Sequence, residues 1–205
     1  DRVHVFEAMK IRILNGGHQV IAPAGDLLGH ATIAEAMADP MIRALLRKVV
    51  GEEIAPHVAP TPERTAHDYL DLVEARFANP RIADTTRRVA FDGSSRQPGF
   101  IVPSVIDGLD TGTSVRGLAL VSAIWSRYCE GVREDRSLIE PNDPHWSALG
   151  VAARAARDDP AAWLAMRQYY GDLGQAPVFA QCFAQWRRFI DFHGVAAAIR
   201  AYVGS

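Results

Sequence analysis

Lys10, Asn15 and His18 stand within the stretch KIRILNGGH, among aliphatic side chains that would otherwise make an ordinary packing helix. On a helical wheel of about 100° per residue, Ile13, Leu14, Val20 and Ile21 fall within roughly 60–80° of Lys10, so its amine projects from the apolar stripe. His18 lies at about 80° and Asn15 at about 140°, and the three span about 12 Å of axis, which allows their side chains to converge on one pocket. A desolvated lysine can give up its proton near neutral pH, whereas an arginine cannot. That difference bears on this chain, because only Lys10 and Lys48 of its 22 basic residues are lysine. The choice of lysine at position 10 therefore fits proton-transfer chemistry. The plainer alternative is an amine that snorkels to water while its methylenes cover the core.

The pair Gly16-Gly17 in the same run costs a helix on the order of 2 kcal/mol relative to two alanines. Close approach of a ligand or of a neighbouring helix would offset that cost, and the residues alone leave both open.

These side chains need helices to hold them, and nearly every segment reads as helix punctuated by proline or glycine, with no alternating run long enough to anchor a sheet. The fold class is mainly α, a multi-helix domain. The first helix is expected from Glu7 to about Leu28, disturbed near Pro23, and a short second one from Thr32 to Ala38. Pro40 opens a third, whose Ile42, Leu45, Leu46, Val49 and Val50 repeat at helical spacing and should face the core. Thr61-Pro62-Glu63 predicts a capped start for a helix reaching Phe77, and Arg81 to Phe91 reads as another. Ser94 to Ser104 (SSRQPGFIVPS) reads as loop, since two prolines and a glycine interrupt it. Leu118 to Tyr128 is the most apolar helix and the candidate centre. Trp146 to Arg157, Pro160 to Tyr170, Val178 to Phe192 and Val195 to Tyr202 complete the list of expected helices.

Composition narrows the function. With 205 residues, 48% hydrophobic, the chain can build a substantial core, and a net charge of −2 with mixed signs offers neither a nucleic-acid stripe nor a membrane-surface patch. Cys129 and Cys182 lack the spacing of a cysteine-based zinc site and read as reduced core residues. His57, His67, His145 and His193 show no ligand-like spacing, so no metal is expected. No run reaches the length of a membrane span and no signal-peptide core opens the chain, so a cytoplasmic setting and a small-molecule partner are expected.

Lys10-x4-Asn15-x2-His18, together with the second block FANPRIADTTRRVAFDGSSRQPGFIVPS, resembles the long-chain polyol dehydrogenases. These include mannitol 2-dehydrogenase, fructuronate and tagaturonate reductases, and arabinitol and mannitol-1-phosphate dehydrogenases. The resemblance runs over essentially all 205 residues and implies the C-terminal domain of that family, of the 6-phosphogluconate dehydrogenase-like kind. It assigns Lys10 the role of general acid/base, Asn15 stabilisation of the developing alkoxide, and His18 a hold on substrate hydroxyls. Arg88 and Arg96 match substrate-binding positions, although Arg96 stands where some members carry lysine, and solvated surface charge is the alternative for both. An amine that accepts a hydroxyl proton, beside an amide that donates to the oxyanion, agrees with those roles.

No G-x-G-x-x-G fingerprint follows a strand, so the resemblance implies that NAD or NADP is held mainly by an N-terminal Rossmann domain absent from this chain. Residues 1–205 then form one substrate and catalytic domain, without turnover of its own. The expected reaction is zinc-independent hydride transfer between the nicotinamide and an open-chain polyol or ketose, mannitol and fructose first. A uronate reductase and a non-catalytic all-α interaction domain are the alternatives.

Overall fold

The computed structural model describes residues 2–205 and is mainly α, with no strand among them beyond two isolated bridges, Thr32 with Thr85 and Val132 with Leu138. Helix α1 (Arg2–Met9) passes without a break into a π-helical segment, Lys10–Asn15, and then into α2 (Gly16–Leu27). The expected disturbance of this long helix is therefore real but misplaced. It lies at Lys10–Asn15, where the Gly16 N–H reaches back five residues to the Ile11 carbonyl, while Pro23 sits inside an unbroken α2. Every residue of α2 except His18 is buried, so packing on all sides holds the turn that proline weakens.

Helix α3 (Ile33–Ala38) starts from a capping box in which Thr32 and Glu35 bond each other's backbone N–H, and α4 (Pro40–Lys48) has its proline at the first position. A second π segment, Val49–Ile54, continues α4. The anticipated core face of Ile42, Leu45, Leu46, Val49 and Val50 is fully buried.

Three expectations fail for identifiable reasons. Helix α5 (Ala66–Phe77) begins later than Thr61-Pro62-Glu63, because Thr65 and Asp68 form a complete capping box while Thr61 closes a turn with Arg64. The helix expected over Arg81–Phe91 shrinks to α6 (Thr86–Ala90), because Ile33 N–H bonds Asp84 O and Thr86 N–H bonds Ala31 O, drawing the preceding stretch into a bridge with the 31–33 backbone. The loop expected over Ser94–Ser104 is instead two helices, α7 (Gly93–Phe100) and α8 (Val102–Thr111). Pro103 falls in the first turn of α8, where a missing N–H costs nothing, and the Asp143 carboxylate fixes the start of α7 by accepting from both Ser94 N–H and Oγ.

Helix α9 (Arg116–Tyr128) is the buried centre, as its apolar sequence predicts. After it in the chain come α10 (Trp146–Asp158) and two single turns, α11 (Ala161–Leu164) and α12 (Arg167–Tyr170), which replace the one helix expected over Pro160–Tyr170. Helices α13 (Pro177–His193) and α14 (Val195–Val203) close the bundle, α13 packing most extensively against α9. Both cysteines are free, Cys129 fully buried and Cys182 half-buried.

Candidate functional site

The three residues of the KIRILNGGH stretch do not share one pocket, contrary to the wheel. Lys10 is exposed and lines an open groove of about 340 Å³ with Leu14, Tyr69, Leu72, Val73 and Arg76. Asn15 and His18 line a neighbouring cleft of about 230 Å³ with Gln19, Arg96 and Phe100. A narrow gap lined by His18, Arg76, Phe77, Ile82 and Asp84 lies between, so Arg76 borders both Lys10 and His18. The helix is π-wound through Lys10–Asn15, so an α wheel does not describe how these side chains are disposed.

His18, Gln19 and Arg96 each have a definite support in the cleft. The His18 ring stacks on Phe77, centroids 4.1 Å apart and planes at 18°. Burial first, and then the guanidiniums of Arg76, Arg96 and Arg88, lower the His18 pKa to about 4, so the imidazole is neutral at pH 7 and can donate from one nitrogen while accepting at the other. Arg96 donates to the Val89 carbonyl at 2.8 Å, a bond that leaves most of its donors for the cleft. The Gln19 amide shares that carbonyl at 3.3 Å, and Gln97 donates to Gln19 Oε1 at 3.5 Å. Arg88 is exposed and pairs with Asp84 one helical turn away; it does not line the Asn15–His18 cleft, though its charge reaches His18.

Packing accounts for Gly17, where a methyl would sit 3.2 Å from Leu46 and 3.4 Å from Phe77; one on Gly16 would meet the Phe100 carbonyl at an ordinary contact distance, 3.4 Å. The same close fit brings α7, with Arg96 and Phe100, against the helix that carries Asn15 and His18.

Sequence reasoning missed Gln19, Arg76 and Phe100. Arg76 carried a readable signal, since Tyr69, Leu72, Val73 and Arg76 repeat at helical spacing along one side of α5. Phe100 lay in the stretch expected to be loop. Among the described residues no group of three or more His, Cys, Asp or Glu is placed to hold a metal ion, and no helix is long and apolar enough to cross a membrane.

Chemically, the cleft offers an amide, a neutral imidazole and a guanidinium to a ligand rich in hydroxyls, with a primary amine on the adjoining groove. The family model described as "Mannitol dehydrogenase C-terminal domain" matches residues 2–189. A mannitol 2-dehydrogenase of Cereibacter sphaeroides is 51% identical over 203 residues, covering 99% of this chain and 43% of the relative. Another, of Pyrenophora tritici-repentis, is 31% identical over 98% of this chain and 35% of its own length. Among solved structures, the Pseudomonas fluorescens mannitol 2-dehydrogenase ternary complex with NAD and D-mannitol superimposes with a TM-score of 0.95 at 29% identity, covering all of this chain and 42% of that one. A D-sorbitol dehydrogenase in substrate-free form gives 0.87 at 25% identity, over 96% of this chain and 41% of that one. The chain thus spans 35–43% of the length of these relatives. With the family model spanning nearly all of its helices, the chain belongs to the family of mannitol dehydrogenase C-terminal domains.

Proposed function

We propose that this chain is the substrate-holding and proton-transferring C-terminal domain of an NAD(P)-dependent polyol oxidoreductase, acting on an open-chain polyol and its ketose, mannitol and fructose first. The observation that carries this reading is the cleft in which Asn15, neutral His18 and Arg96 meet, next to the groove of Lys10. A polyol is a row of hydroxyls, each donor and acceptor, and a neutral imidazole answers both needs where an imidazolium could only donate. A cleft of this polarity also favours a ligand over a silent packing role for the domain.

Lys10 Nζ takes the proton of the reacting hydroxyl, and Asn15 donates an amide N–H to the oxygen left negative. His18 holds a neighbouring hydroxyl, and Arg96 holds another. Ketone reduction runs the same path in reverse, the lysine ammonium returning the proton. The nicotinamide supplies the hydride chemistry. Its cradle is ordinarily a strand, a Gly-rich turn and a helix, and the described residues contain no strand, so they do not fit the dinucleotide. In this proposal an N-terminal dinucleotide-binding domain holds it and covers the groove of Lys10, whose Leu14, Tyr69, Leu72 and Val73 suit an apolar neighbour.

The test is Lys10→Ala in the two-domain enzyme. Turnover is expected to fall by at least about a hundredfold with cofactor affinity unchanged; a variant that keeps its turnover refutes the assignment. This 205-residue chain alone is expected to oxidise no mannitol, and robust NAD-dependent oxidation by it would overturn the division of labour. A second reading, a uronate reductase, draws on the three guanidiniums around His18, which suit a substrate carboxylate. Turnover on fructuronate above that on mannitol would decide for it.

A further inference from the structure

Lys10 and Asn15 are the two ends of the first π segment, five residues apart. In an α-helix five residues leave two side chains about 140° apart around the axis, on different faces. With bonds running to the fifth residue instead of the fourth, residues five apart stand close to one line, as residues four apart do in an α-helix. The winding therefore decides how amine and amide are disposed toward each other. A run of π-helix is rarely stable by itself, so contacts from the rest of the molecule must hold it.

One such contact is polar and directional. Arg12, inside the segment, donates from Nη1 to Ser104 Oγ at 2.7 Å and from Nη2 to Asp107 Oδ2 at 2.7 Å. Its two partners lie one turn apart on α8, Ser104 is fully buried, and the side chains of Arg12 and Asp107 are only 21% and 35% exposed. A planar guanidinium held at two nitrogens fixes an angle as well as a distance, which an ammonium would not. Ile13, fully buried, anchors the segment from the core.

We infer that Arg12, gripped by Ser104 and Asp107, is a positioning residue that holds the π winding and so sets how the Lys10 amine and the Asn15 amide are disposed, each on its own opening. The inference rests on the roles given to Lys10 and Asn15 under Proposed function. Arg12 touches no reacting group; it acts through the backbone between them.

The experiment compares Arg12→Gln, Arg12→Lys, Asp107→Asn and the Gln/Asn double variant in the two-domain enzyme, by steady-state kinetics, cofactor binding and thermal unfolding. Expected is a fall in kcat of about tenfold for Arg12→Gln and Asp107→Asn, with KM and cofactor Kd within about twofold of the parent. Arg12→Lys, which keeps the charge and loses the fork, should recover part of the rate, and the double variant should be little worse than either single one because both break the same clamp. Asp107→Asn is nearly isosteric and lies toward the surface, so it keeps the test open if Arg12→Gln folds poorly. A kcat within about twofold of the parent in Asp107→Asn, or a loss that merely follows the folded fraction, overturns the inference. Lys10→Ala in the same enzyme separates the two levels: an active Lys10→Ala defeats the reading of the site, whereas an inactive one beside an unimpaired Asp107→Asn defeats the clamp alone.

Discussion

The two π segments of this domain use one backbone device for different ends. Lys10–Asn15 has only Ile13 buried, and it faces Lys10 and Asn15 toward open groove and cleft. Val49–Ile54 buries Val49, Val50, Glu53 and Ile54. There the Glu53 carboxylate accepts from the N–H groups of Gly117 and Leu118 at 2.8 and 2.9 Å, and from the hydroxyls of Ser114 and Tyr202 at 3.2 and 3.1 Å. It satisfies the otherwise bare first turn of α9, the central helix, and it does so at a cost, since burial raises its pKa against the pull of those four bonds. A wide turn is thus a stability feature when core surrounds it and a candidate chemical feature when a cleft does. The neighbours decide which.

Substitutions can break that contrast, the largest effect first. Lys10→Ala should abolish most turnover, at least about a hundredfold, yet leave denaturant unfolding within about 0.5 kcal/mol, because the side chain is exposed. Glu53→Ala should do the reverse to stability: two backbone N–H groups and two hydroxyls lose a buried acceptor, and about 2–4 kcal/mol should disappear from the unfolding free energy. A loss below about 1 kcal/mol would remove the structural role given to the second segment.

His18 sharpens the comparison through pH. Its folded pKa of about 4 lies below the usual histidine value of 6.5, so between the two the unfolded chain binds more protons. Stability should then be fully present above about pH 6.5 and fall as the pH drops toward 4, by about 2–3 kcal/mol, and His18→Phe should flatten that slope in unfolding measured across the range. An unchanged slope would mean that the imidazole is more hydrated than its stacking on Phe77 implies. Gly16→Ala is the smallest test. Its methyl would meet Phe100 O at ordinary contact distance, 3.4 Å, and the gain in helix propensity should leave stability unchanged or raised by up to about 1 kcal/mol.

Much of this was readable beforehand, and the failures have physical causes. The α4 core face followed from spacing alone, because a helix packing on a core needs apolar residues at that period whatever lies opposite. The start of α5 was misjudged because two cap sequences competed four residues apart, and only Thr65 had an acid at the right offset to bond back. Helix α8 was hidden because Pro103 reads as a breaker unless it falls in a first turn, and α7 because it carries Pro98 in its interior and takes its start from the distant Asp143. In the site, the expected meeting of Lys10, Asn15 and His18 in one pocket is replaced by a cleft lined by Asn15, His18 and Arg96, with Lys10 and Arg88 outside it.

What residue order alone determined was the mainly α class, the buried face of α4, the centrality of α9 and the amine, amide and imidazole within nine residues of one another. All of these follow from local periodicity and side-chain chemistry. The direction in which those groups point was a tertiary decision. A π turn uses the same backbone groups as an α turn but rarely holds by itself, so contacts from Ser104 and Asp107, 92 and 95 positions away along the chain, can decide which forms.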